Sequence, residues 1–471
     1  MAPDGHVAMN PISMITGSAL MAGFGAVCLT GLGQERQLTN APHGHVLTNL
    51  NIWSPDGQWI VYDVRTGEEF DGTRIEQVNV TSGAVQRLFE THDGAKCGVA
   101  TRSPVDSRVV FILGPEAPTP DWSYAFTRRR GALVDIGRPG ISRPLDAMNY
   151  APPFTAGALR GGSHVHVFSP DGRWVSYTYE DDVLARLDAD PRSPAHEPNQ
   201  RNIGVSVPAG PVRVARTHPR SHDGDWFSVL VSRTVAQPRA GSDEISKAFE
   251  EGWVGQAGYR RTNGTRQPRA LAFQGMVVAP DGRTHAEVFI VDLPEDLTRA
   301  GSAPLEGTPT TRPTPPAGVT QRRLTFTSEQ KYPGIAQSPR HWLRVSPDGS
   351  RIAFLMKDDA GVVQLWTVSP NGGPVRQVTR NASDISSAFT WSPDGRHVAH
   401  IMDGSVCVTD IPDGQTRRLT AAAAKASAPS AQACVFSPDG RSIAYTRKVA
   451  GPSGAFQQIF VVAASAIPEK T

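Results

Sequence analysis

His164 and His341 lie far apart in the chain but at the same offset from one recurring tetrapeptide. Ser-Pro-Asp-Gly occupies residues 54–57, 169–172, 346–349, 392–395 and 437–440. A degenerate copy, Ser-Pro-Val-Asp, begins at Ser103. With each serine set to zero, position −5 holds Asn49, Gly98, His164, His341, Ser387 and Gln432. Every one except Gly98 carries a side chain that donates or accepts hydrogen bonds. If the copies stand around a common axis, side chains at one level converge on one channel. Neutral imidazoles with an amide oxygen suit Mn, Fe, Ni or Zn. On this reading His164 and His341 are metal ligands, with His166 a ligand or close partner. Asn49, Ser387 and Gln432 then line the funnel or hold a substrate. The competing reading is a wet channel whose polar side chains only bind water or neighbouring strands.

The tetrapeptide itself says what must position these residues. Pro presets φ at the second turn position, Asp bonds its own backbone, and Gly takes a left-handed conformation. Each copy follows an apolar or aromatic residue and precedes a β-prone run such as 59–62 or 443–445. The last three copies start at 346, 392 and 437, a spacing that fits four-stranded propeller blades. The expected fold is all-β, a seven-bladed β-propeller, with six blades as the alternative. A further inner hairpin is expected at 226–231, with outer strands at 287–291. The best helix pattern is 242–253, with Ile245, Ala248, Phe249 and Trp253 on one face. Residues 303–318 read as a Pro- and Thr-rich loop. Arg-Leu-Thr-type runs end several blades, and the run Arg36-Gln37-Leu38-Thr39 at the start of the chain is expected to close the ring beside 457–462. Position −1, which includes Trp53, Phe168, Trp391 and Phe436, should pack between blades.

Residues 1–33 read as an apolar extension, a candidate signal peptide, and 34–471 as one propeller with insertions near 181–222 and 236–318. An exported, periplasmic protein is expected, with a cytoplasmic one as the alternative if the extension reflects a misassigned start. The 47 basic and 45 acidic residues give a formal charge of +2, which offers no nucleic-acid footprint. The run Arg128-Arg129-Arg130 and the run Glu180-Asp181-Asp182 read as solvated loops, though Tyr124 with the arginines offers a ring and cations to an acidic sugar. Four cysteines lack metal or redox spacing. No membrane span is expected in the mature domain, and a monomer is the expected state.

The chain resembles the TolB-like propeller superfamily and, more closely, an uncharacterised bacterial family within it. The segments 158–168, 241–245, 251–255 and 339–342 carry that resemblance. More distantly it is similar to oligogalacturonate lyase, whose funnel holds manganese through a Gln and several His, including a His-x-His pair. His164 and His166 match the pair. The Gln three residues before its first histidine is Gly161 here.

Two function classes follow. One is a binding or scaffold protein with a polar funnel, its ligand a small acidic carbohydrate or a protein. The other is a metal-dependent lyase on uronate oligosaccharides, manganese being the metal the resemblance implies. The chain contains no HExxH and no phosphate loop, and the sequence does not assign a catalytic base.

Overall fold

Seven antiparallel sheets of four strands each realise the repeat. The computed structural model describes residues 32–66 and 70–464. The first blade is Gly44–Val46, Trp59–Arg65, Arg74–Asn79 and Val85–Glu90. The second runs from Cys97–Arg102 to Ser142–Pro144, and the third from Gly161–Phe168 to Phe227–Leu230. The fourth begins at Ala248–Trp253 and ends at Thr320–Arg323. The fifth and sixth begin at Arg344–Val345 and Thr390–Trp391. The seventh contains Pro429–Phe436, Ser442–Gly451 and Gly454–Ala463, and takes its outer strand from Glu35–Gln37. Arg36 pairs with Val461 and Gln37 with Phe460, so the start of the described chain closes the ring as expected. Closure matters because an unpaired outer edge would expose a row of backbone donors and acceptors.

The tetrapeptide works as a small machine. Its glycines sit at φ +67° to +74°. In each of the five copies the serine hydroxyl donates to the aspartate two residues on. The same hydroxyl accepts the backbone N–H five residues on, at 2.9–3.0 Å. One hydroxyl thus fixes both ends of the turn, which explains why serine recurs.

The fourth blade departs from the expectation. Residues 242–253 are not a helix: their second half is the inner strand Ala248–Trp253. The pairing of this strand with Ala270–Val278 shifts register between Phe249 and Gly252. The shift is a β-bulge, and its extra residue breaks the two-residue alternation so that buried residues fall at helix-like intervals. Residues 226–231 are likewise not an inner hairpin. Phe227–Leu230 is the outer strand of the third blade, and it is apolar because the segments around Ala147 and Ala158 pack over it. The stretches read as insertions hold blade strands: Asn202–Val207 in the first, and three strands of the fourth blade in the second.

The α-helix among the described residues is Asp182–Ala189, where a solvated acidic loop was expected. Asp181 caps it by accepting from the Leu184 N–H at 2.9 Å. The other carboxylate oxygen of Asp181 meets Arg160 Nε at 2.7 Å, and both side chains are buried. The arginine run is not solvated either: Arg128 pairs with Asp182 at 3.2 Å and Arg129 is 6% exposed. Cys97, Cys407 and Cys434 are buried free thiols. No helix among the described residues is long and apolar enough to cross a membrane.

Candidate functional site: the axial channel

The inner strands carry the same bulge in three consecutive blades. Register shifts occur between Gly98 and Thr101, His164 and Val167, and Phe249 and Gly252. These pairs are equivalent, at positions −5 and −2, when Trp253 is counted as position −1 of the fourth blade. The residue at −4 then takes a left-handed conformation: Val99 at φ +56°, Val165 at +54°, Glu250 at +55°. Such φ values are genuine outliers for β-branched residues. Their effect is to push position −4, not −5, onto the axis. Leu50, Val99, Val165 and Trp342 come from four blades and form one apolar cluster with Val167 and Trp253. Only an axial position lets side chains from four blades meet.

Position −5 is therefore mostly turned back on the fold. His341 Nδ1 meets the Pro339 carbonyl at 3.0 Å, and its Nε2 accepts the Leu355 N–H at 3.1 Å. Ser387 Oγ accepts the Ile401 N–H at 2.8 Å and donates to the Ala388 carbonyl at 2.6 Å. Gln432 is exposed. Asn49 is buried and accepts a hydrogen bond from Arg344, which reaches it from the far side of the ring. The expected ring of Asn49, His164, His341, Ser387 and Gln432 is thus not brought together as one ligand set. A one-residue change of register moves a strand's side chains to the other face.

His166 lies between the second and third blades, fully buried. Its Nε2 is 3.0 Å from Ser163 Oγ. That hydroxyl is 3.2 Å from Asp146 Oδ2, while Asp146 Oδ1 accepts from Ser206 and Ser228 at 2.8 and 2.7 Å. Serine, histidine and aspartate meet here without forming a triad, because serine and aspartate both face Nε2 and Nδ1 has no protein partner. The network fastens three strands and the loop at Asp146.

His164 is the exception at position −5. Among the described residues none forms a hydrogen bond with its ring, and it is 6% exposed. Its pKa is held well below the ordinary value, first by burial, then by Arg129, Arg201 and Arg340. Those arginines come from the second, third and fifth blades, and the charge of each acts on the one imidazole. Two are partly balanced: Arg201 meets Glu180 at 3.1 Å and Arg340 meets Glu250 at 2.8 Å. Arg129 donates to Tyr124 Oη at 3.3 Å, and its buried Nε has no protein partner. The sequence flagged Tyr124 and the arginine run, but it gave no sign that Arg201 and Arg340 would join them.

These residues do not fit a resident divalent cation. His341 has both nitrogens engaged and His166 is held on Ser163. The charges of three arginines oppose a proton, and equally a cation, at His164. Among the described residues no group of three or more His, Cys, Asp or Glu side chains is arranged to hold a metal.

Below the apolar cluster the channel opens on the face of the tetrapeptide turns as a cavity of about 620 Å³. Position −1 walls it, and these side chains also tie blades together as expected. The indole N–H of Trp53 donates to the Val435 carbonyl at 3.1 Å. Trp253 donates to Val167 and Trp391 to Arg344, both at 3.0 Å. In each case the acceptor is position −2 of the preceding blade.

Comparison with known proteins agrees with this architecture. Residues 96–222 match the family described as protein of unknown function DUF3748. The chain is 48% identical over 414 residues to the uncharacterized protein YidR of Escherichia coli strain K12, covering 87% of this chain and 94% of that protein. Among solved structures it is similar to an oligogalacturonate lyase in complex with manganese, with TM-score 0.56 and 12% identity over 94% of this chain and 95% of that one. An oligogalacturonate lyase from Vibrio parahaemolyticus gives TM-score 0.53 and 10% identity over 93% and 94% of the two chains. Likeness at that identity shows the shared propeller fold. The chain belongs to the DUF3748 family together with the E. coli protein YidR.

Proposed function

We propose that the protein is a binding propeller whose axial channel takes an acidic carbohydrate at His164. The observation that carries this is that the charges of Arg129, Arg201 and Arg340, from three blades, all act on one buried imidazole with which no described residue forms a hydrogen bond. Guanidinium groups recognise carboxylates through paired N–H donors, and burial strengthens each contact. Neutral His164 supplies a donor or an acceptor to a sugar hydroxyl. The fold's likeness to lyases that act on oligogalacturonate supports the choice of a uronate. Export and a monomeric state belong to the same proposal. Export rests on the apolar stretch 12–32, nearly all of it outside the described residues. Calorimetric titration with trigalacturonate tests the reading, with the neutral trisaccharide of galactose as comparison. Binding of the acid alone is expected; equal binding of both, or of neither, overturns it.

A manganese-dependent uronate lyase is the second reading, favoured by the manganese of the similar lyase structure. Its metal would need His164 as a ligand, in a setting that is already cationic. Elemental analysis of untagged protein, together with ultraviolet absorbance during incubation with trigalacturonate, tests it. Bound manganese and a rise from a conjugated product would support this reading over simple binding.

A further inference from the structure

The cavity on the turn face is separate from the site around His164 and has a different chemistry. Pro55, Pro104, Pro170, Pro347, Pro393 and Pro438 ring it, one from each blade except the fourth. Trp53, Phe168, Trp253, Trp391 and Phe436 stand behind the prolines. Into this apolar wall are set two arginines, Arg102 and Arg344, which are 5% and 6% exposed.

Neither arginine has an ion-pair partner; Glu251 and Glu250 act on Arg344, and Asp56 on Arg102, by charge without contact. Among the described residues no carboxylate lies within 4.0 Å of either guanidinium. Arg102 donates to the Gln77 amide at 2.6 Å, and Arg344 donates to Asn49 and to its neighbour's carbonyl. Each Nε is buried without a protein partner. Asp171, the one acidic residue in the cavity wall, is taken by Arg269 and by the hydroxyl of Ser169. Burial brings both arginines down to about 10, the direction that marks a desolvated cation. A buried charge without an ion pair is costly, and the cost falls when an anion enters beside it.

We infer that this cavity binds a small carboxylate carried on an apolar or aromatic body. The carboxylate would face Arg344 and Arg102, and the body would lie against the proline and tryptophan wall. The volume is in the range of small-molecule pockets. A peptide ending in an apolar residue presents the same chemistry, and the test separates the two sources.

The probe is 3-phenylpropionate, followed by the fluorescence of the wall tryptophans and by calorimetry on the full chain. The comparisons are 3-phenylpropanamide, which keeps the body and loses the charge, and the tripeptide Gly-Gly-Phe. The acid is expected to bind at least tenfold more tightly than the amide. Arg344→Met and Arg102→Met should each weaken it at least tenfold. Arg340→Met, at the other end of the channel, should leave it unchanged while weakening uronate binding, so the two sites fail or hold independently. Equal binding of acid and amide overturns the inference. So does unchanged binding in both arginine variants, and so does binding confined to the tripeptide. If both variants fail to fold, the acid–amide comparison on the unaltered chain decides.

Discussion

The imidazole of His341 accepts the backbone N–H of Leu355 at 3.1 Å, and Ser387 does the same for Ile401 one blade later at 2.8 Å. The two pairs occupy the same positions in the repeat, −5 and +9. In the second and third blades those positions are joined by strand pairing instead, Gly98 with Ile112 and His164 with Thr178. A side chain therefore replaces the ladder where the inner strand has shortened to two residues.

His341→Ala should cost about 1–3 kcal/mol, because it leaves a buried N–H unpaired. Ser387→Ala should cost a similar amount for the same reason. Urea unfolding of both variants measures it. A His341 variant as stable as the parent would restore the case for a functional role.

Removing the chain through Asn40 should destabilise the propeller by several kcal/mol relative to a chain beginning at Leu32. The cut removes Glu35–Gln37, whose register closes the seventh blade. It also removes Glu35, which pairs with Arg447 at 2.5 Å, and the Leu38 N–H bond to Ile459 at 2.8 Å. The exposed edge should promote self-association. Thermal unfolding and light scattering read the two effects.

The buried histidines set an acid limit. Burial lowers His166, His341 and His400 to about 4, against 6.5 when unfolded. The unfolded chain binds more protons in that window, so stability is full above pH 6.5 and falls as pH drops toward 4. Each group accounts for on the order of 1–3 kcal/mol once protonated. Denaturant midpoints at pH 7.5, 5.5 and 4.5 should decline steadily. A flat profile would mean that these imidazoles gain protons without cost.

Glu251 acts with the opposite sign. Burial raises its carboxyl to about 7, with Thr178 Oγ1 donating to it at 2.9 Å. The native state holds the extra proton between about 4.5 and 7, so this group's contribution is lost as pH rises through that window. Glu251→Gln keeps an acceptor for Thr178 and removes the charge. It should be more stable than the parent at pH 8, by on the order of 1–3 kcal/mol, and nearly equal at pH 5.

Arg129→Met, Arg201→Met and Arg340→Met should each weaken uronate binding about tenfold or more, with Arg129→Met largest because its charge is the least balanced by a carboxylate. Each should also raise the pKa of His164, since one repelling cation is gone. Titration of the His164 ring proton signals by NMR checks the second effect independently of ligand. An unchanged His164 pKa in all three would mean that the arginines point elsewhere.

The tetrapeptide and its degenerate copy marked six of the blades, and the blade-ending Arg-Leu-Thr-type runs marked the closing strand. Turn chemistry is local: proline, aspartate and glycine act through their own backbone, and they recur at blade spacing. Position −1 was legible for the same reason, since Trp53 and Trp391 sit one residue from the turn. The channel lining was decided only by the tertiary structure. The bulges at Val99, Val165 and Glu250 insert one residue between the turn and position −5. In the fifth blade the inner strand is only Arg344–Val345, so counting alternate residues beyond its start placed His341 on the axis and left Trp342 off it. The bulge at Glu250 gave 245–253 a helical spacing. Arg129, Arg201 and Arg340 come from three blades, and Arg102 and Arg344 from two of the same blades, the second and fifth. No spacing along the chain relates them, because ring closure in space is what brings them together.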